Sequence, residues 1–491
     1  MIESEIIHYF LKRGHLVSPQ FFENLPQDLD KDSFYSSFSS SKPFPFVINN
    51  IPLPSSAQPD TRLSSLSKKG RTSFSIHNSP ILPSGKQTVS DFVSHFTSRY
   101  RQLQEILRLR PEFQNVISIG RVSQKQKDEL LSIIGIVFDK EKTKNGNILL
   151  TLEDPTGQVK VLIHKNNHFY SSALDLVYDE VIGITGKVGD RIIFANSLFL
   201  PDTPYTKEIK KSPDEAYAAF ISDIHIGSVD FLSDDFFRFI DWINCCEGTE
   251  EQRTIASKVR YLFIVGDLID GVGIFPGQDL RLAIQDIRSQ YAKAAELLSY
   301  IRKDIIIFVC PGQHDAIRIS EPQPTLDLNY AAALAGLPNV RMLTNPSFVT
   351  IHSSEDFPGF DILLYHGASF HYYIDSVESL IANKARDNPR FVHRFLLQRR
   401  HLAPSHSSNL YIPHPQKDPL VIEKVPDVFV CGDLHRSDVS TYNNIITINC
   451  SCFQAKTDFQ EKTGNNPDPS RVPVLNLQTR EVKVLRFDSY E

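Results

Sequence analysis

Apolar residues recur at different spacings along the chain, and each spacing predicts a different kind of element. At the N-terminus Ile2, Ile6, Ile7, Phe10 and Leu11 fall at helical intervals, with Gly14 as a stop. Ser18-Pro19 then supplies a cap and a proline at the first helical position, ahead of Phe21, Phe22 and Leu25. Residues 1–35 are therefore expected to form a small helical module. Over 36–90 the periodicity disappears and Ser, Pro, Lys and Asn dominate, as in Ser39-Ser40-Ser41-Lys42-Pro43. Such a stretch buries too little apolar surface to offset its ordering entropy, so it reads as a flexible linker, with Phe74 or Ile81 as places for a partner motif. Helical spacing returns between Val89 and Arg110, where Phe92, Phe96, Leu103 and Leu107 share a stripe, and predicts a connecting helix over 91–112.

Shorter runs follow. Ile133–Phe138, Ile148–Leu152, Val159–Ile163, Val181–Gly186 and Arg191–Phe199 predict five strands, punctuated by Asn145-Gly146 and by Asp154-Pro155-Thr156-Gly157. Five strands so spaced suggest a barrel of the oligonucleotide-binding type over 113–205. Exposed aromatics beside basic residues are few there, so contact with a protein partner, or a spacer role, stands beside single-strand binding. From 206 to 491 apolar strands alternate with helical stretches such as Leu280–Ile301, which is the pattern of a layered α/β domain. Its buried-strand runs are Ala218–Ile221, Tyr261–Val265, Ile305–Val309, Ile362–Tyr365, Val428–Val430 and Ile445–Ile448.

Composition narrows the class only slightly. The chain is 41% hydrophobic and 22% charged, with a net charge of -6, which leaves no electrostatic footprint for nucleic acid. A metal site would bring its own positive charge, so a nucleic-acid substrate is still compatible. The six cysteines form no pair of C-x-x-C knuckles, which argues against structural zinc and for reduced thiols. Glu3, Glu5, Lys12 and Arg13 interrupt the N-terminal apolar residues, so no signal peptide is expected. With no long apolar run either, the expected location is the cytoplasm, away from any membrane.

The chemistry lies where the buried strands end. After Ala218–Ile221 come Asp223 and His225; after Val265 comes Gly266-Asp267-Leu268-Ile269-Asp270-Gly271. Val309 leads to Pro311-Gly312-Gln313-His314-Asp315, Tyr365 to His366-Gly367, and Val430 to Cys431-Gly432-Asp433-Leu434-His435. Ligand crevices of α/β sheets lie at the carboxyl ends of the strands, so these distant segments deliver carboxylates, imidazoles and an amide to one edge. Any one of them alone reads as loop decoration. Together they suit a pair of divalent cations, bridged by a carboxylate, that clamp a phosphate ester and activate water.

That order of segments resembles the calcineurin-like metallophosphoesterases, whose motifs run Asp-x-His, Gly-Asp-x-x-Asp-Gly, Gly-Asn-His-Asp, His-Gly and Gly-His-x-His. Arg399-Arg400-His401-Leu402-Ala403-Pro404, Val425-Pro426-Asp427 and the run from Phe453 to Gln460 leading to Val472-Pro473-Val474 resemble, more narrowly, the small subunit of the archaeal D-family DNA polymerase. The resemblance covers about 115–485. It implies a calcineurin-like domain behind the barrel and a 3′-to-5′ exonuclease acting on single-stranded DNA 3′ ends with two divalent metal ions, manganese preferred or magnesium. It also implies a partner, the large catalytic subunit, which carries synthesis. Asp223, His225, Asp267 and His435 would hold the first metal, and Asp267 would bridge to a second held by Gln313, His366 and Asp433. His314 would be the general acid that protonates the leaving 3′ oxygen, oriented by Asp315.

Two ligands depart from the family pattern, and both belong to the second metal. Gln313 stands for Asn and is longer by one methylene; Asp433 stands for His and exchanges a neutral nitrogen for an anionic oxygen. A retuned site and a decayed, purely scaffolding subunit are the two consequences to weigh, with a free-standing phosphoesterase as a third reading. Decay scatters across a site and removes charge, whereas here the first set is intact and Asp433 is itself a ligand type, so activity is expected to be retained. Arg394, Arg399, Arg400 and His401 are either phosphate contacts or an ordinary helix face. Asp270 is expected to close its turn, and His371, His393, His406 and His414 to be exposed.

Overall fold

The computed structural model describes residues 73–81, 85–462 and 464–488, together with Leu16–Val17 and Val47–Ile48. The chain divides into two units, Met1–Arg71 and Thr72–Glu491. In the first, β1 (Leu16–Val17) and β2 (Val47–Ile48) pair in parallel. Leu16–Val17 lies between the two helices expected from the sequence, after Gly14 and before Ser18; the apolar repeats of Ile2 to Leu11 and Phe21 to Leu25 fall outside the described residues.

The second unit opens with a correction to the linker. Phe74–Asn78 forms strand β3 rather than flexible chain. Phe74 and Ile76 pack into a core while Ser75 and His77 face out, an alternation too short to stand out in a Ser-rich background. The helix Val89–Arg108 follows, started by a capping box between Thr88 and Asp91.

All five strands expected for the barrel are present: β4 (Leu130–Lys142), β5 (Ile148–Asp154), β6 (Gly157–Ile163), β7 (Val181–Val188) and β8 (Ile192–Phe199). They close in the order β4-β5-β6-β8-β7 around Ile133, Val137, Leu150, Leu152, Val161 and Ile184, all fully buried. Closure removes the free edges that five short strands would otherwise expose.

The remainder is built on β9 (Tyr217–Ile221), β10 (Val259–Val265), β11 (Ile306–Cys310), β12 (Val340–Met342), β13 (Ser347–Ile351), β14 (Phe360–Leu364), β15 (Val428–Cys431), β16 (Asp438–Tyr442), β17 (Ile445–Asn449), β18 (Arg471–Asn476) and β19 (Val482–Arg486). They form two six-stranded sheets, β12-β11-β10-β9-β18-β19 and β16-β17-β15-β14-β13-β3. The sheets share one core: Phe220, Phe263 and Phe308 of the first pack with Ile362, Leu364, Val428 and Val430 of the second. Helices Ser233–Ile243 and Ile287–Ser299 cover the outer face of the first sheet, and Phe370–Ser376 and Arg390–Arg399 that of the second. Central strands are therefore apolar on both faces, which is why they read as unbroken runs. The helix expected from Leu280 starts later, at Ile287, where Asp286 caps it by accepting from the Ser289 N–H.

The basic run after Arg390–Arg399 is structural. Arg399, Arg400 and His401 are each 3% exposed or less. Arg399 pairs with Glu180 of the barrel at 2.9 Å, and Arg400 donates to the Ile422 carbonyl at 2.6 Å. His401 Nε2 lies 2.9 Å from Asp418 Oδ2, which Arg99 of the connecting helix also reaches at 2.7 Å. His401 Nδ1 accepts from the Ala403 N–H, so the proton faces Asp418. Burial pushes His401 down to about 4, leaving Arg99 as the charged partner at neutral pH.

Burial alone would raise the Asp418 carboxyl, but Arg99, His401 and His95 hold it well below the ordinary range. Its contribution to stability is present above the unfolded-state value of roughly 4 and is lost as pH falls through the lower folded-state value. Asp418→Asn is therefore expected to cost about 3–5 kcal/mol at neutral pH, because Arg99 is left buried without a counter-charge. Urea unfolding at neutral and acid pH checks this: the gap between variant and parent should narrow as the solution is acidified.

Candidate metal centre

Every segment singled out at a strand end in the sequence meets at one edge of the paired sheets. Asp223 and His225 follow β9, Asp267 and Asp270 follow β10, and Gln313, His314 and Asp315 follow β11, all in the first sheet. His366 follows β14, and Asp433 and His435 follow β15, in the second. Five of these residues hold left-handed backbone, with φ of 50° at Asp223, 53° at His225, 50° at Asp267, 68° at Asp433 and 54° at His435. Such conformations persist only where the surroundings over-determine them. Here the loops bond to one another: Asp223 N–H donates to the Gly266 carbonyl at 3.1 Å, His225 N–H to the Asp267 carbonyl at 3.1 Å, and Gly432 N–H to the His366 carbonyl at 2.9 Å. Two glycines permit the close approach. A Cβ on Gly266 would stand 2.1 Å from His366 Nδ1, and one on Gly312 would stand 2.1 Å from Asp267 Oδ1.

The candidate ligand atoms converge in three overlapping groups. Asp223, His225 and His435 bring such atoms within 4.8 Å of one another, as do Asp223, Asp267 and His366, and His225, Asp267 and His314. His225 Nε2 is 3.3 Å from His435 Nε2 and 3.9 Å from Asp267 Oδ2. On the far side, His366 Nε2 is 3.3 Å from the same Asp267 oxygen and 4.0 Å from Asp433 Oδ1. One carboxylate oxygen thus lies near imidazoles on both sides.

The donor set fits divalent cations. Burial would raise Asp267, but His366, His314 and His225 hold it far below the usual carboxylate range, so it is ionised. Burial would lower His366, yet Asp267, Asp223 and Asp433 raise it well above its ordinary value: the environment calls for positive charge. His366 Nε2 and Gln313 Oε1 are buried and make no hydrogen bond. Unsatisfied polar atoms of this kind are rare unless an unseen ion or water completes them. The imidazoles are also aimed. His225 Nδ1 is 3.1 Å from Asp270 Oδ1, and His366 Nδ1 is 2.7 Å from the Val265 carbonyl. Each can donate from Nδ1, which leaves the Nε2 lone pair free to coordinate.

Some expectations change. Asp270 does more than close a turn, since its carboxylate orients His225. Asp315 does not orient the His314 ring. Its oxygens accept from the Gly312 N–H at 2.9 Å, the Leu268 N–H at 3.4 Å and the Tyr291 hydroxyl at 3.1 Å, bracing the loop, and burial together with Asp267 pushes its carboxyl up to about 6. The partner of His314 Nδ1 is the Asp270 carbonyl at 2.8 Å, so Nε2 is the free nitrogen of a half-buried ring that lines the cleft. His393 and His414 are buried rather than exposed. His371 belongs to the site: its Nε2 lies 3.1 Å from Asp433 Oδ2. Five residues beyond His366, it reads in the sequence as an ordinary polar helix position, and only the fold brings it to Asp433.

The cleft above these residues has a volume of about 570 Å³. One wall carries Ile274 and Phe275, which are 40% and 41% exposed.

Comparison with known proteins shows which family the chain resembles. The family of B-subunits of DNA polymerases alpha and epsilon matches residues 218–440, which contain all the candidate ligands. A protein of Methanothermobacter thermautotrophicus named DNA polymerase II small subunit is 39% identical over 81% of this chain and 80% of its own. Proteins of the same name from Pyrococcus furiosus and Halobacterium salinarum are 37% and 35% identical over 83% and 82% of this chain; the match spans 65% and 76% of their lengths.

Gly312→Ala tests how tightly the loops are fixed. The added methyl would displace Asp267 or His366, so a loss of about 1–3 kcal/mol is expected. Thermal unfolding of the variant, compared with an exposed control such as Gly85→Ala, where a Cβ meets nothing within 4 Å, measures it.

Proposed function

This chain belongs to the family of DNA polymerase II small subunits, and on that premise we propose that it is a 3′-to-5′ exonuclease subunit which removes nucleotides from single-stranded or unpaired DNA 3′ ends. The calcineurin-like character of its paired sheets is part of the same reading. Synthesis would reside in a large subunit with which it forms a heterodimer. The observation that carries the proposal is Asp267 Oδ2, ionised, within 3.9 Å of His225 Nε2 on one side and 3.3 Å of His366 Nε2 on the other.

Asp223, His225, Asp267 and His435 would hold one cation, and Asp267, Gln313, His366 and Asp433 a second. Two such ions, manganese or magnesium, would polarise a phosphodiester, supply the attacking water and stabilise the leaving oxygen. The chain's own groups do the rest. Asp270 and the Val265 carbonyl fix the ring orientation of His225 and His366. His314, held through Nδ1 by the Asp270 carbonyl, presents Nε2 to the cleft, and in its protonated form would deliver a proton to the departing 3′ oxygen. Phe275 offers a face on which the terminal base could stack. The hard oxygen donors added by Asp433 favour manganese or magnesium over softer ions.

A scaffolding subunit without cleavage is the second reading, favoured by one observation: Gln313 Nε2 already donates to Asp433 Oδ1 at 3.1 Å. Purified chain with Mn²⁺ and a 3′-labelled single strand separates the two. Stepwise shortening, abolished by Asp267→Ala by about 10³-fold or more, is the expected result; tight binding to the large subunit with no shortening would establish the scaffold. Phe275→Ala is expected to raise KM for the single strand by about 5–100-fold, the equivalent of roughly 1–3 kcal/mol of stacking, with kcat little changed. Steady-state kinetics on a short oligonucleotide reads both constants.

A further inference from the structure

The two departures from the family pattern, Gln313 and Asp433, meet a third residue that sequence reasoning set aside. Asp433 Oδ1 accepts from Gln313 Nε2 at 3.1 Å and lies 4.0 Å from His366 Nε2. Its other oxygen, Oδ2, is 3.1 Å from His371 Nε2. The second nitrogen of His371, Nδ1, lies 3.2 Å from Arg386 Nη1. Arg386 is itself anchored, to Asn465 Oδ1 at 3.0 Å and Asp375 Oδ1 at 2.6 Å. A guanidinium has only donors, so His371 Nδ1 must accept and the ring proton sits on Nε2, the nitrogen 3.1 Å from Asp433 Oδ2, an oxygen that has the ion pair with His371 but no hydrogen bond.

An aspartate is shorter than the imidazole it replaces and can rotate about two torsions. Left alone it would turn either oxygen, or neither, toward the cation position. We infer that Arg386 and His371 are positioning residues that lock Asp433 by one oxygen and so make it a ligand of the second cation. This inference rests on the two-cation reading and deepens it: the histidine that position 433 lacks has an equivalent at position 371, acting through a carboxylate instead of touching the ion. The loss of one imidazole and the presence of the other are one arrangement. His371 is 44% exposed on its side chain and lies on the helix Phe370–Ser376 directly behind the His366 loop, so its removal need not disturb the fold.

The test is titration of the full chain with Mn²⁺ alone, followed calorimetrically and by loss of the free-ion electron paramagnetic signal. The parent protein is expected to take up two ions. His371→Ala should keep the tighter one and bind the other about 10–100-fold more weakly, the usual cost of losing a group that orients a ligand. His371→Gln, which retains a donor, should recover part of the loss, and Arg386→Ala should mimic it. Asp433→His combined with His371→Ala should regain the second ion, because an imidazole at 433 needs no such brace. Two ions bound with parental affinities in His371→Ala would overturn the role of His371 while leaving the two-cation reading intact. A parent protein that binds fewer than two ions would overturn that reading and the inference with it. Thermal unfolding of each metal-free variant confirms that affinities are compared between folded proteins.

Discussion

Three carboxylates, the buried Asp223 and Asp267 and the partly buried Asp433, stand close to one another, and their ion-pair partners are imidazoles. Removing each such ion from water costs several kcal/mol, and like charges at short range add to it. Much of the surrounding architecture answers that constraint. The two sheets pack so that the ends of β9, β10, β14 and β15 face one edge, and left-handed backbone at five charged or imidazole residues turns their side chains inward. The missing compensation is positive charge, and a pair of divalent ions would supply it at the point where the carboxylates crowd.

Much of this was legible in the sequence. The barrel strands and the six apolar runs were found because burial on one or both faces leaves a pattern in residue type. Their exits were legible because Asp, His and Gly stood immediately after them. What escaped had weaker local signals. Phe74–Asn78 sits in Ser- and Pro-rich surroundings and becomes a strand only because Ser347–Ile351 offers it a partner. The strands Ser347–Ile351, Asp438–Tyr442, Arg471–Asn476 and Val482–Arg486 mix polar with apolar residues, as edge and antiparallel strands do, and so resemble loops.

Within the site the division is similar. The residues that meet at the candidate centre follow a fixed order along the chain, directly after apolar strands, and are legible there. Those that hold them in place are not, because their identity depends on which loop lies opposite. Asp270 looked like a turn residue, yet its carboxylate reaches His225 from a neighbouring strand end. Asp315, adjacent to His314 in sequence, bonds instead to the backbone of two loops and to Tyr291. The basic cluster Arg399-Arg400-His401 has the composition of a phosphate contact, but its partners are Glu180, backbone carbonyls and Asp418, all buried. Composition alone cannot separate an arginine that binds a ligand from one that ties a barrel to a sheet domain.

The same constraint bears on the residue at position 433. Substituting a carboxylate for an imidazole at position 433 adds a negative charge where two already sit, and an unbraced third would raise the cost of the empty site. A carboxylate offers two oxygens where an imidazole offers one coordinating nitrogen, so one oxygen can be given to a donor and the other kept for a ligand. Gln313 hydrogen-bonds one oxygen of Asp433 and His371 stands as an ion-pair partner beside the other, and only His371 is backed by a guanidinium. Gln313 is the partner able to leave, since its own amide oxygen, Oε1, is buried there without a hydrogen bond. On the two-cation reading, a site so arranged would hold its carboxylate in place when empty and would exchange one amide contact for a cation.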